Sequence, residues 1–418
     1  MRKLKLSTKP IFVDIENVNR TKIELFFPIK YKKENEAKKE LMIRMLKVVN
    51  KKYPNHTNFC NKISELYIMN YNISTLFYYD TDFLVFTLEI PSVNIIDDFD
   101  LEKAIQFFYD CIFNASTKDN HFEEEQFTWE KEFILQKNDK YPHSIEDYIY
   151  DEYQKFSDPK EITGLHHDTY IHLLEEANSS NTYDFYKENI LHNHYITYIY
   201  GNLKNKEELS RLHQKYFKQE KEYFTVNINY LNFIYDKKYD EKEIISTYNQ
   251  SVLKLGYQVR DMKEEDMLAF NMLYFMLAST ENDLIYNNLR SKNNLIYSAY
   301  TQRKNIFSII DITVFLNKED KNKVLEIIHQ TFESLKDKKL FEKSKEKTLK
   351  AIKYDIYSEE DRPFSMMKEI IEKQVGWNIS LKELFTNLEK LTYYDFAKFL
   401  DKVELKKRLF IKGGDNHE

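Results

Sequence analysis

Tyr71-Asn-Ile-Ser-Thr-Leu-Phe-Tyr-Tyr79, then Asp80-Thr81-Asp82, then Phe83-Leu-Val-Phe-Thr-Leu-Glu-Ile90 reads as two strands joined by a turn. Their aromatic and aliphatic residues suit a largely buried antiparallel pair. Downstream, Leu101, Ala104, Phe108, Cys111 and Ile112 recur at the spacing of an amphipathic helix over 99–113. A shift of about 223 residues sets the same pattern down again. Strands then fall over 295–303 and 306–315, followed by a helix over 321–335 with Val324, Ile327, Ile328, Thr331 and Leu335 on one side. Each half also closes on a strand running into glycine, Tyr195–Tyr200 into Gly201 and Leu409–Ile411 into Gly413 and Gly414. The letters differ between the halves while the pattern holds. The expected fold is α+β, two homologous domains that are each a mostly antiparallel sheet packed with helices.

Around that frame, short strands are expected over 10–14 and 21–27, and helices over 34–49, 58–68, 121–138, 144–157, 167–178 and 182–189. In the second half, strands are expected near 223–235 and 243–258, an apolar helix over 265–278, a short helix over 282–291 and further helices across 340–402. The stretch Lys204–Glu222 is charged and lacks a strong apolar face, which marks it as a connector. The domains expected are therefore 1–203 and 223–418, with 204–222 between them.

Composition narrows the function. The 418 residues include 32 Tyr and 30 Phe, an aromatic load that must be buried and so excludes disorder. Six glycines, with only Gly413 and Gly414 close together, cannot build a Walker loop or a dinucleotide fingerprint. The 62 basic and 68 acidic residues are interspersed, leaving no footprint for nucleic acid or an anionic membrane. Cys60 and Cys111 are too few for a disulfide framework or a CxxC metal site and fit a reducing cytosol. Met1–Leu6 is basic like the start of a signal peptide, but Ser7-Thr8-Lys9-Pro10 follows where an apolar core belongs. No apolar run is long enough to span a bilayer. The expectation is a soluble, cytoplasmic protein.

Leu284-Ile-Tyr-Asn-Asn-Leu-Arg290-Ser-Lys-Asn-Asn-Leu-Ile-Tyr297-Ser298, leading into a strand pair and an amphipathic helix, resembles the second domain of the insulinase-type (pitrilysin) metallopeptidase family. That family's signature there is a helix ending in Leu-Arg, then Leu-x-Tyr-Ser, and Arg290 and Tyr297 match it at the same spacing. The strand closing at Gly201 resembles the end of the family's first domain, and Phe127–Lys137 resembles its second glutamate-bearing helix. The resemblance spans nearly the whole chain as architecture and a few short motifs as sequence. It implies that Arg290 and Tyr297 bind substrate, donating hydrogen bonds to a peptide carbonyl as charge develops on it. Read without the resemblance, Arg290 would cap a helix and Tyr297 would pack in a sheet.

The family's catalytic half is an inverted His-x-x-Glu-His motif with a later Glu as third zinc ligand. Distance from the strand pair places that motif at Leu41-Met42-Ile43-Arg44-Met45. Glu130 matches the first carboxylate of the later helix, but the ligand position seven residues on is Lys137. With Leu41, Arg44, Met45 and Lys137 in the slot, no metal site is expected in this chain. His172-Leu-Leu-Glu175-Glu176 mimics the motif with its last His replaced, and Asp168 could share its helix face. It lies in a helical segment remote from the catalytic helix and reads as a solvated polar face. Cys60 and Cys111 fall on apolar helical positions with no adjacent His to activate a thiolate.

The resemblance thus implies a non-catalytic subunit that carries no cofactor and pairs with a His-x-x-Glu-His-bearing sister subunit, where the zinc resides. Peptides are the implied substrate, with Arg290 and Tyr297 reaching into the partner's active site. It is similar to the metal-less subunits of bacterial heterodimers that modify elongation factor or mature bacteriocin peptides, which carry a Leu-Tyr where this chain has Leu66-Tyr67. A scaffold or peptide-binding module of the same fold without any hydrolytic complex is the alternative. A weaker reading is an autonomous metallopeptidase using His172 and Glu175.

Overall fold

The computed structural model describes residues 2–15, 18–78, 80–92, 95–96, 98–228, 235, 239–278, 283–304, 308–360 and 381–414. The chain forms two compact units, Met1–Tyr141 with Leu165–Tyr230, and Pro142–Gly164 with Leu231–Glu418.

The first unit contains β1 (Arg2–Ser7), β2 (Ile11–Asp14), β3 (Arg20–Lys30), α1 (Glu36–Val48), α2 (His56–Glu65), β4 (Asn70–Tyr78), β5 (Thr81–Pro91) and α3 (Leu101–Phe113). A small ladder of β6 (Thr117–Lys118) and β7 (His121–Phe122) leads into α4 (Glu124–Asn138). The helix α5 (Ile145–Ser157) belongs to the other unit. The chain re-enters the first unit with α6 (His167–Glu176), α7 (Ser179–Tyr186), β8 (Ile196–Gly201), α8 (Lys206–Tyr216) and β9 (Tyr223–Ile228). Its five-stranded sheet has the order β2-β8-β3-β5-β4, with only β2 and β8 parallel. Period-two alternation puts Ile23, Leu25, Phe27 and Ile29 of β3 and Leu84, Phe86, Leu88 and Ile90 of β5 on one face. Leu41, Met42, Met45 and Leu46 of α1 and Ile105, Phe108 and Ile112 of α3 close that core.

The second unit adds β10 (Asp240–Ile245), β11 (Ser251–Val259), α9 (Met267–Ala278) and α10 (Leu284–Tyr286), which runs on as a π turn over Asn287–Ser291. Then come β12 (Ile296–Lys304), β13 (Ile309–Leu316), α11 (Lys321–Ser334), α12 (Lys338–Glu360), α13 (Leu381–Lys390), α14 (Tyr393–Leu400) and β14 (Val403–Lys412). The sheet order is β10-β14-β11-β13-β12, again with one parallel pair, β10 with β14. Strand for strand this is the first sheet repeated, as the offset in the sequence pattern requires.

The boundaries of the units differ from those the sequence suggested. Residues 204–222 are not a spacer: α8 buries Leu209, Leu212 and His213, and Phe217 follows them into the first core. These positions lie three and four apart, an apolar stripe too narrow to dominate a lysine- and glutamate-rich helix. Nor does the second unit begin at residue 223, because β9 pairs antiparallel with β1 in the first. The basic start of the chain is β1 itself, with Leu4 and Leu6 buried between lysines. Conversely, α5 lays Ile149 and Tyr153 on Val252, Phe315, Leu409 and Ile411, the second face of the other unit's sheet. The segments 229–234 and 361–380, where a strand and a helix were expected, lie outside the described residues. Among the described residues, no helix is long and apolar enough to cross a membrane.

Candidate functional site

In the first unit, the slot expected to hold zinc lies on α1. Its inner positions Leu41 and Met45 are buried in the core and offer no imidazole or carboxylate. Its outer positions Glu36, Glu40 and Arg44, four apart, share one face. Arg44 Nη1 lies 3.1 Å from Glu130 Oε2 of α4, and Arg44 Nε lies 3.6 Å from Glu40. Glu130 is 2% exposed and also accepts from Gln126 at 3.2 Å. Tyr170 of α6 donates to Glu40, and the Arg44 guanidinium lies 5.1 Å from the centre of the Phe133 ring, which is stacked with the exposed Trp129. Burial beside the Glu40 carboxylate holds the Tyr170 phenol well above its ordinary pKa, so it acts as a hydrogen-bond donor. Lys137 points to solvent at the end of the same helix. Two apolar side chains, an arginine and a lysine do not make a donor set for zinc, and a fixed cation already faces the buried carboxylate of Glu130. Among the described residues, no group of three His, Cys, Asp or Glu is placed to hold a metal ion.

The second unit brings Arg290 and Tyr297 to one feature. The β12–β13 register runs from Ile296 opposite Leu316 to Ser298 opposite Phe315, so Tyr297 is the extra residue of a bulge. A bulge re-aims its side chain and leaves a backbone group outside the ladder. Tyr297 is accordingly 56% exposed, and Arg290 Nη1 donates to the Ile296 carbonyl at 2.7 Å. The π turn carrying Arg290 and the left-handed Asn294 (φ 51°) fold the intervening residues back, with Asn294 N donating to the Arg290 carbonyl at 2.9 Å. Tyr297 Oη in turn donates to Asn317 Oδ1 at 2.6 Å. The result is a guanidinium anchored on the backbone of the bulge and a phenol anchored on an amide, with further guanidinium N–H groups able to meet a carbonyl. Tyr297, exposed on the bulge, does not pack in the sheet as the simpler expectation had it.

The remaining candidates separate. His172 Nε2 lies 3.4 Å from Glu176 Oε1, an exposed pair on α6, and Glu175 lies on the same exposed helix end. Cys111 is buried as expected, and burial pushes its thiol up. Cys60 is instead exposed, with His56 Nε2 3.6 Å from its sulfur. The four-residue spacing of that pair was present in the sequence and passed over. Sequence reasoning also missed Asn317, which carries no signal beyond a turn, and a buried cluster on the second face of the β11–β13 sheet. There Tyr153 donates to Asp311 at 2.9 Å, with Tyr235 Oη 3.2 Å away and Lys304 3.5 Å from the other Asp311 oxygen.

Residues 178–351 match the model of the peptidase M16 inactive domain. A probable inactive metalloprotease of Bacillus subtilis, YmfF, is 20% identical over 395 residues, covering 91% of this chain and 90% of its own. Over those residues the chain resembles the M16 family. Both the matched domain and this relative are described as inactive, which supports a non-catalytic role for the chain. Solved structures share this fold over nearly the whole of the chain. A conserved protein of Enterococcus faecalis V583 covers 100% of both chains at 16% identity and a TM-score of 0.82. The periplasmic protease PqqL of Escherichia coli matches 95% of this chain at 11% identity and a TM-score of 0.70, using 45% of its own length.

Proposed function

We propose that this chain is the non-catalytic, substrate-binding subunit of a heterodimeric zinc peptidase that acts on peptides. The observation that carries the reading is the anchoring of Arg290 on the very bulge that turns Tyr297 outward. In the assembly, spare N–H groups of Arg290 donate to a substrate carbonyl beside the zinc of a sister subunit bearing His-x-x-Glu-His, and the Tyr297 hydroxyl turns from Asn317 to donate a second hydrogen bond. The zinc and the water-activating glutamate belong to that partner, since the slot here holds Leu41, Arg44, Met45 and, on α4, Lys137. PqqL supports such pairing, because matching 45% of it leaves room in one chain for a second unit pair of this size. The two unpaired cysteines fit assembly in the cytoplasm, with neither nucleic acid nor membrane as a partner.

The test is co-elution of this chain with its candidate partner, followed by peptide cleavage that neither gives alone. Arg290→Ala and Tyr297→Phe should each slow turnover by about tenfold or more while leaving co-elution intact, the scale of a lost charge-stabilising donor. Unchanged turnover removes the pair from the site, and about one zinc per isolated chain by metal analysis defeats the whole reading.

A further inference from the structure

Beyond the Arg290–Tyr297 pair, the second unit carries a hollow of about 350 Å³ where β13 gives way to α11. Tyr297 and Asn317 form one wall, Asn249 and Gln250 of the β10–β11 turn another, and Gly413 and Gly414 lie at the end of β14. Leu316 is the one aliphatic residue in the lining, and the rim residues Lys318 and Glu319 carry opposite charges. Ligand pockets of this size are usually walled by apolar side chains. Here three amides and a phenol converge instead. Gly413 is required where it stands: a Cβ on it would lie 2.6 Å from the Asn249 carbonyl oxygen.

This lining selects by desolvation. An apolar side chain entering the hollow strips water from Asn317, Asn249 and Gln250 and returns no hydrogen bond. A charged one gains little, because the rim offers both signs. A neutral amide can donate and accept at once, matching amide walls that do the same: Asn317 accepts from Tyr297 and donates to Asp320 at 3.4 Å, keeping one lone pair and one N–H. Tyr297 links hollow and pair, since its hydroxyl is held by Asn317. We propose that this hollow is a subsite for a neutral hydrogen-bonding side chain, an amide above all, carried by an extended peptide lying against Tyr297. Asn317 is then the residue that sets the preference. The inference rests on the reading of Arg290 and Tyr297 as peptide-binding residues and adds a substrate class to it.

The test uses the full chain and two fluorescein-labelled dodecapeptides, (Ser-Gln)6 and (Ser-Met)6. Alternation presents the variable side chain in every register of an extended strand, and methionine approximates glutamine in size without the amide. Fluorescence anisotropy should show the glutamine peptide binding about tenfold more tightly, the scale of one or two net hydrogen bonds. Asn317→Leu should abolish that preference, whereas Arg290→Ala should weaken both peptides alike. Asn249→Leu, on an exposed turn, is the second variant and should also narrow the preference if Asn317→Leu proves unstable. Equal affinity of the parent chain for both peptides, or a preference that survives both leucine variants, overturns the subsite alone. Binding of neither peptide overturns the peptide-binding reading and the subsite with it.

Discussion

Replacing Arg44 by methionine removes the guanidinium that faces Glu130 and leaves a carboxylate that is 2% exposed without a counter-charge. Deleting one partner of a buried ion pair costs about 3–5 kcal/mol, because the survivor stays desolvated. Two features of this site argue for the low end. The Arg44 side chain retains 27% exposure, so water already screens the pair, and Gln126 continues to donate to Glu130. A loss of about 3 kcal/mol is therefore expected. For a unit of about 200 residues this lowers the melting temperature by roughly 6–12 °C. Differential scanning calorimetry of the full chain, with Trp129 fluorescence reporting on the first unit, measures it. The double variant Arg44→Met, Glu130→Gln removes both charges and should recover most of the loss, a coupling that single substitutions elsewhere do not produce. If Arg44→Met melts within 2 °C of the parent, on the order of a surface substitution, the idea that a fixed cation neutralises this buried acid is wrong.

Three further outcomes follow from the geometry. A Cβ at Gly256 would stand 2.2 Å from Tyr153 Oη, so Gly256→Ala should displace α5 and destabilise the second unit by about 1–3 kcal/mol in urea unfolding; a neutral result would show that α5 is free to shift. Burial pushes the His213 imidazole down to about 4 from 6.5, so the unfolded chain binds the proton first. Its stabilising contribution is thus whole above pH 6.5 and falls by about 3 kcal/mol as the pH drops through 4; His213→Gln should flatten that acid slope, and an unchanged slope would assign it to other groups. Iodoacetamide should label one thiol per native chain, at Cys60, with Cys111 reacting only in denaturant; two labelled thiols in the native chain would contradict the burial of Cys111.

The twin sheets were legible because their strands are long, aromatic and β-branched, and because helices 101–113 and 321–335 keep clean stripes at the same offset. Where the reading failed, the signal was weak or non-local. In α8, three buried positions are scattered among charges, and only the tertiary core reveals that Leu209 and Leu212 face inward. In β1, lysines alternate with leucines over only six residues, a pattern too short to stand out as a strand. The placement of α5 could not be read at all. Its stripe of Ile149 and Tyr153 says that it packs, and nothing local says on which sheet. At the site, the spacing of Arg290 and Tyr297 was visible, but the bulge that joins them and the acceptor on Asn317 depend on strand register. Likewise, the sequence shows that Arg44 cannot replace a water-activating glutamate, and only the fold shows that it pairs with Glu130.

The membership of α5 in the second unit bears on how the protein is made. A ribosome adding about 5–20 residues per second finishes β14 some ten seconds to nearly a minute after α5 has emerged. Throughout that interval Ile149 and Tyr153 have no sheet to rest on, since their seats on Val252, Phe315 and Leu409 do not yet exist or are incomplete. That one helix must wait, sticky and unpaired, for the second unit to arrive. Holding chaperones should therefore engage this protein in mid-synthesis, at residues 142–164, and release it only at the last strand.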